Sequence, residues 1–324
     1  MFEQAPPTFD VILTNPPFGG KEGTDAQKNY SFETSSTQVL FLQHILADLK
    51  IPLDGKAGGR CGIVLDEGLL FRTNESAFVE TKRKLVDECD LWCIVSLPGG
   101  VFSTAGAGVK TNLLFFTKGK KTERIWYYDL SQIKVGKKTP MILAHFGFDK
   151  HGALLNDADL PVTLTGDWLE QDDNQGKPFP TLARLLALHG TPGADSDFSW
   201  TIDFIARRAK AHEDMTPFLE EVKKLTEELI PLKEELKAFK KGKAEMEAIA
   251  ALEEHIKTKE KAIRDAQAKA TDIDTAVYDL KAVNPNVKAI ADTRTAMEII
   301  DNINIQGQIV ATAMNNLRSL LAEE

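Results

Sequence analysis

FDVILTNPPFGG, residues 9–20, sets an unbroken apolar run against an asparagine, two prolines, an aromatic ring and two glycines. A run that stays apolar at consecutive positions reads as a β-strand covered on both faces. In open α/β sheets ligands sit beyond the carboxyl ends of such strands. Asn15, Pro16, Pro17 and Phe18 fall at that end. The same residue types also suit a tight turn that merely ends a strand.

The chemistry that fits these four residues is alkylation of an exocyclic amine on a nucleobase. The lone pair of such an amine is conjugated into its ring, so it is a poor nucleophile until hydrogen-bond acceptors localise it. The side-chain oxygen of Asn15 and the carbonyl of Pro16 form a pair of acceptors of this kind, and they stabilise the positive charge that grows as a methyl group arrives. Proline fixes φ and carries no N–H, so Pro16 and Pro17 set the carbonyl direction and offer no competing donor. Phe18 supplies a ring on which an extruded base can stack.

Outward from this stretch, short apolar runs alternate with helical patterns. Val39, Leu42, Ile45, Leu46 and Leu49 fall at helical spacing over 36–49, and a second helical pattern occupies 76–88. GRCGIVL (59–65), LWCIVSL (91–97) and TNLLFFTK (111–118) read as further strands of a parallel α/β sheet. The last two are joined without an intervening helix, which allows them to pair antiparallel. Residues 131–200 are punctuated by Gly, Pro, Asp and His and read as a connecting or capping region.

From about residue 213 the period becomes helical. Phe218, Val222, Leu225, Leu229, Leu232, Leu236 and Phe239 recur at alternating spacings of four and three, the apolar seam of a coiled coil, with Pro231 expected to kink it. A second seam runs through Ile249, Leu252, Ile256, Ile263, Ala266 and Ala270 and is interrupted by Lys259. KKGKAE (240–245) joins the two, so an antiparallel hairpin about 40 Å long is expected. A third seam, Ile299, Ile303, Val310, Ala313, Leu317 and Leu320, ends the sequence. The organisation read from these patterns is a sheet region over 1–130, a connecting region over 131–204 and a helical docking region over 205–324.

A formal net charge of -9 argues against coating nucleic acid by bulk electrostatics, so DNA contact must be local or delegated to a partner. The first residues lack the basic and apolar regions of a secretion signal, and no stretch approaches a membrane span, which reads as cytoplasmic with no membrane partner. Cys61, Cys89 and Cys93 read as buried thiols, and the six histidines form no ligand pair, so no metal site is expected. GAGVKT (106–111) departs from a phosphate loop, because Val109 separates Gly108 from Lys110 and the segment precedes a strand. Lys110 is instead a DNA-contact candidate, beside the plainer reading of a solvated lysine.

The series FDVILTNPPFGG, GRCGIVLDEGLLF (59–71), IVSLPGGVFSTAGAGVKTNLLFFTKG (94–119), IWYYDLS (125–131), FSWTIDF (198–204) and YDLKAVNPN (278–286) resembles the modification subunits of type I restriction-modification systems, which are N6-adenine DNA methyltransferases. The resemblance implies a partial Rossmann-like methyltransferase sheet followed by an all-α hairpin and coiled-coil region. It implies that Asn15 and the Pro16 carbonyl hold the target amine, that Pro17 stiffens the turn and that Phe18 stacks on a flipped adenine. The implied methyl donor is S-adenosylmethionine, and the implied partners are DNA and the specificity and restriction subunits of the same system.

Three departures from the family pattern shape the expectations. The family's glycine-rich cofactor loop and about half of its sheet lie upstream of NPPF, so the sequence reads as the C-terminal portion of a longer polypeptide. On that reading it lacks its own cofactor loop, is inactive alone, and has the missing N-terminal half as a further partner. Asp66 stands where the family usually has proline, and the hairpin reads as an insertion. The rival reading is a non-catalytic interaction module that keeps the helical docking arms.

Overall fold

The computed structural model describes residues 8–102, 108–166, 168, 171–242, 245–286 and 295–322. Six strands are hydrogen-bonded into one sheet: β1 (Val11–Thr14), β2 (Arg60–Asp66), β3 (Cys89–Ser96), β4 (Thr111–Lys118), β5 (Arg124–Asp129) and β6 (Ser199–Asp203). Their order is β1-β2-β4-β3-β5-β6. β1 pairs parallel with β2 and β3 with β5, whereas β4 runs antiparallel to both β2 and β3 and β6 antiparallel to β5. The sheet is therefore mixed where the alternation of runs suggested a parallel one. The expected antiparallel pairing of 91–97 with 111–118 is present, because a connection with no helix returns the chain directly along its neighbour.

Helices α1 (Thr24–Gln27), α2 (Thr37–Asp48), α3 (Glu67–Phe71) and α4 (Ser76–Glu88) lie between the first strands. Val39, Leu42 and Leu46 of α2 join Val79, Leu85 and Val86 of α4 and Ile63, Leu65 and Leu114 of the sheet in one buried cluster. A second cluster packs Val95, Trp126 and Tyr128 against Leu160, Leu164, Phe179, Leu182 and Leu185. The latter residues come from the punctuated stretch after β5, which holds α5 (Val162–Thr165) and α6 (Leu182–Leu186) among loops and short 3-10 turns. That stretch thus covers the β3–β5 part of one sheet face. Val11 and Leu13 of β1 remain 49% and 78% exposed.

A long helix, α7 (Phe204–Gly242), follows β6 directly and runs without interruption through Pro217 and Pro231. Its partner is α8 (Met246–Ala276). α7 begins at Phe204, 14 residues before the first seam residue, Phe218, because Phe204 and Ala211 are buried in the sheet cluster. Seam residues Leu229, Ile256, Ala266 and Ala270 are buried. From the Lys233–Glu260 pair to the Lys240–Glu253 pair, both at 2.7 Å, the α7 number rises by seven as the α8 number falls by seven, the register of an antiparallel hairpin, and Lys259 pairs with Glu228 alongside. Lys259, the break in the second seam, is accommodated by that ion pair. The hairpin is tied to α4 by Arg83–Asp274 and Arg208–Asp87 contacts at 2.6 Å.

Residues 287–324 form a separate unit whose described element is α9 (Ala296–Ala322), the helix expected from the third seam. No helix among the described residues is long and apolar enough to cross a membrane.

Candidate active site

The start of β1 is pinned by its surroundings. Asp10 O accepts from Arg60 N and Phe9 O accepts from Lys50 N, which hold the strand against β2 and the end of α2. Asn15, Pro16 and Pro17 leave the strand immediately, with Pro16 buried and Asn15 and Pro17 exposed. The Asn15 side chain has no hydrogen-bond partner among the described residues, so its carbonyl oxygen is an available acceptor. Phe18 is half-buried, and its ring centroid lies 5.1 Å from that of Phe102, with planes tilted by 58°.

Phe102 comes from the connection between β3 and β4, which lie three and two places from β1 in the sheet order, and sequence reasoning did not single it out. The one signal was its position as the lone aromatic between Leu97 and Thr111. Chain folding brings the two rings together into a partly open aromatic corner beside the Asn15 acceptor.

The glycines after Phe18 are held by the amino end of α2. Gly19 adopts φ +70°, the left-handed region that glycine enters without strain. Gly20 O accepts from Thr37 N, Ser35 O accepts from Glu22 N, and Thr37 Oγ1 donates to Glu22. A Cβ on Gly20 would meet Thr37 Oγ1 at 2.4 Å, so only glycine allows this approach. Gln38, fully buried, accepts from Asp66 N through Oε1. A cavity of about 220 Å³ opens between this loop, Asp66 and Arg72.

Asp66, the residue that replaces proline, caps α3: its Oδ1 accepts from Leu69 N at 2.7 Å. That bond satisfies one of the open donors at the start of the helix, a role proline cannot fill. The segment after α3 is clamped from beneath by Lys82, whose Nζ donates to Leu70 O at 2.8 Å and Arg72 O at 2.7 Å. Burial lowers the Lys82 pKa to about 8.

Lys110 is exposed, forms no ion pair among the described residues and lines a second cavity further along the sheet. It is not in the Asn15 corner's aromatic pair. Residues 106 and 107 of GAGVKT lie outside the described residues, and Thr111 begins a strand. The three cysteines are buried free thiols, and burial raises the Cys61 and Cys89 pKa values to about 12. Among the described residues no group of His, Cys, Asp and Glu is placed to hold a metal ion.

Residues 2–152 match the N-6 DNA methylase family. The chain is 45% identical over 122 residues to the EcoEI methylase subunit of Escherichia coli, covering 37% of this chain and 23% of that protein. It is 36% identical over 180 residues to the StySPI methylase subunit of Salmonella potsdam, covering 50% and 31%. Both are type I restriction enzyme subunits, so the matched segments span less than a third of the curated relatives. A structure described as a type I R-M system matches with a TM-score of 0.47 at 27% identity, over 98% of this chain and 46% of that one. The EcoKI M protein matches with a TM-score of 0.40 at 28% identity, over 60% and 40%. The resemblance to type I modification subunits holds.

Proposed function

From the kinship of residues 2–152 with the N-6 DNA methylases, we propose that this chain holds the target base of a type I DNA adenine-N6 methyltransferase. The observation that carries this reading is the Asn15 corner: an unpartnered amide acceptor, a proline carbonyl and the facing rings of Phe18 and Phe102 at one strand end. Asn15 Oδ1 and Pro16 O accept the two amino hydrogens of a flipped adenine, and the nitrogen lone pair turns toward the donor. Phe18 stacks on the base, and Phe102 supports the Phe18 ring by its tilted contact. After transfer the alkylated nitrogen releases one proton to solvent.

S-adenosylmethionine supplies the methyl group when bound. None of the described residues is assigned to hold it. Its contacts belong to polypeptide seated beside β1, whose outer edge is unpaired among the described residues, and the upstream half of such a subunit is the partner for that edge. The isolated chain is therefore inactive. DNA meets the Asn15 corner with Lys110 as a backbone contact, and the hairpin α7–α8 and helix α9 are docking arms for specificity and restriction subunits. Residues 1–130 make up the catalytic portion, 131–204 the cap over the sheet and 205–324 the docking region.

The test is calorimetric titration of the chain with S-adenosylmethionine, alone and after addition of an upstream methylase half, followed by mass spectrometry of adenine N6 in DNA. Binding and transfer only after complementation, with transfer lost in Asn15→Ala, is the expected result. Tight binding by the chain alone, or transfer that survives Asn15→Ala, overturns the reading.

A further inference from the structure

We propose that the cavity at the carboxyl ends of β3 and β5 is a second binding site, for a neutral planar heterocycle of the nucleobase class. Its volume is about 230 Å³. β3 and β5 are three and four places from β1 in the sheet order, roughly 14–19 Å at the usual strand spacing. The cavity also reaches Glu67 after β2 and Lys110 and Thr111 at the start of β4, but it shares no lining residue with the cavity beside the Asn15 loop, and the inference goes beyond the function proposed above.

Two buried polar atoms on lining residues mark the site. Thr111, 1% exposed, and Trp200, 3% exposed, have side-chain Oγ1 and Nε1 atoms with no hydrogen-bond partner among the described residues. Leaving a hydroxyl and an indole N–H dry costs stability, and folded proteins seldom tolerate it without a reason. Trp200 cannot shift to find a partner, because its ring is stacked on Tyr127 at 5.3 Å with planes 7° apart. The 280–282 segment closes the cavity from the other side. It is held by Leu280 N donating to Leu70 O and by Tyr127 Oη donating to Leu280 O, both at 3.0 Å.

The rim selects the ligand class. Lys110 and Lys281 face Glu67 and Asp129, so the formal charges of the rim cancel. Lys281 is paired with Glu67 at 3.0 Å, and one Asp129 oxygen takes the Ser131 N–H at 2.7 Å. A phosphate meets two carboxylates here and an ammonium meets two lysines, so neither is favoured. An indole N–H gives only a donor and the remaining Asp129 oxygen only an acceptor. The ligand must then carry an acceptor and a donor on one rigid frame, flat enough for walls made by Ile94, Leu97 and Leu280. A nucleobase edge has that pattern. Its source is a free nucleoside or an unstacked base of DNA.

The experiment compares the full chain with Thr111→Val, which keeps the side-chain volume and deletes the orphan hydroxyl, and with Trp200→Phe, which deletes the indole N–H together with part of the ring stacked on Tyr127. Thermal unfolding and calorimetry are run with adenosine, guanosine, cytidine and thymidine at millimolar concentration, and with single-stranded and duplex DNA as competitors. The expected result is that at least one nucleoside raises the melting temperature of the unaltered chain. Thr111→Val is then at least as stable as it without ligand, Trp200→Phe is less stable because a buried ring shrinks, and both bind about tenfold more weakly, the loss expected for one hydrogen bond. Displacement by single-stranded DNA assigns the site to an unstacked base, and no displacement assigns it to free nucleosides. Absence of any nucleoside-induced shift, with the orphan atoms bonded to ordered water alone, overturns the proposal. So does unchanged affinity in both variants.

Discussion

Phe18 and Phe102 sit 84 residues apart in sequence and 5.1 Å apart between ring centroids, tilted by 58°. Neither ring is fully buried. A tilted aromatic pair contributes about 0.5–1.5 kcal/mol beyond its area. Phe18→Ala and Phe102→Ala are each expected to destabilise the chain by about that amount, with a coupling near 1 kcal/mol in a double-mutant cycle. Under the proposed function both also lower retention of an extrahelical base, read by 2-aminopurine fluorescence in DNA. Additive stabilities would show that the two rings do not support each other.

The close approach of Gly20 to Thr37 makes a sharper test of the loop. Gly20→Ala places a methyl 2.4 Å from Thr37 Oγ1, an overpacking expected to cost about 1–3 kcal/mol. Thr37→Ala removes the obstructing oxygen along with its bond to Glu22. The double variant is therefore expected to be more stable than the sum of the single losses predicts. Chemical denaturation of the four proteins measures it, and strict additivity would mean that the loop simply moves aside.

Lys82 predicts a pH dependence with a definite sign. Burial, opposed by Asp279 and reinforced by Arg207, holds its pKa down at about 8 from an ordinary 10.5. A neutral amine has two N–H groups, and Leu70 O and Arg72 O take both. Between pH 8 and 10.5 the unfolded chain keeps a proton that the folded chain has released, so stability from this residue rises with pH across that window. The rise is at most about 3 kcal/mol. Lys82→Met is expected to flatten it, seen as a smaller difference in denaturation midpoint between pH 8 and 10. An identical slope in both proteins would place the amine in a wetter setting.

Most of the sheet was legible because buried strands write their burial as unbroken apolar runs. TNLLFFTK fills the central strand β4 end to end, and LWCIVSL covers all of β3 but its first two residues and runs one residue past its end. The seam of the hairpin was equally plain, since Leu229 and Ile256 have little choice of partner. Phe102 and Lys82 were not legible. A lone aromatic in an aperiodic loop has no pattern to announce its partner, and a lysine on an amphipathic helix ordinarily reads as solvated. Their roles depend on contacts made across the fold. Asp66 was visible as a departure from the family, but its meaning as a helix cap required the Leu69 N–H to be placed. The sheet order escaped for a similar reason, because nothing in β4 itself says that it inserts between β2 and β3.

β1 itself carries the last prediction. Leu13 is 78% exposed, with its Cδ2 over Gly62 of β2, where a Cβ would come within 2.9 Å. The outer edge of β1 is unpaired among the described residues, and an apolar strand edge of that kind is a template for another strand. Without an upstream methylase half, the chain is expected to self-associate through this edge, giving a concentration-dependent dimer in sedimentation velocity. Leu13→Lys puts a charge on the edge while leaving Ile12 in the core cluster, so it should restore the monomer with a stability change within about 0.5 kcal/mol. Adding the upstream half should likewise dissolve the dimer, because both occupants compete for one set of backbone hydrogen bonds. A chain that stays monomeric at high concentration, or a dimer indifferent to Leu13→Lys, would place the association elsewhere.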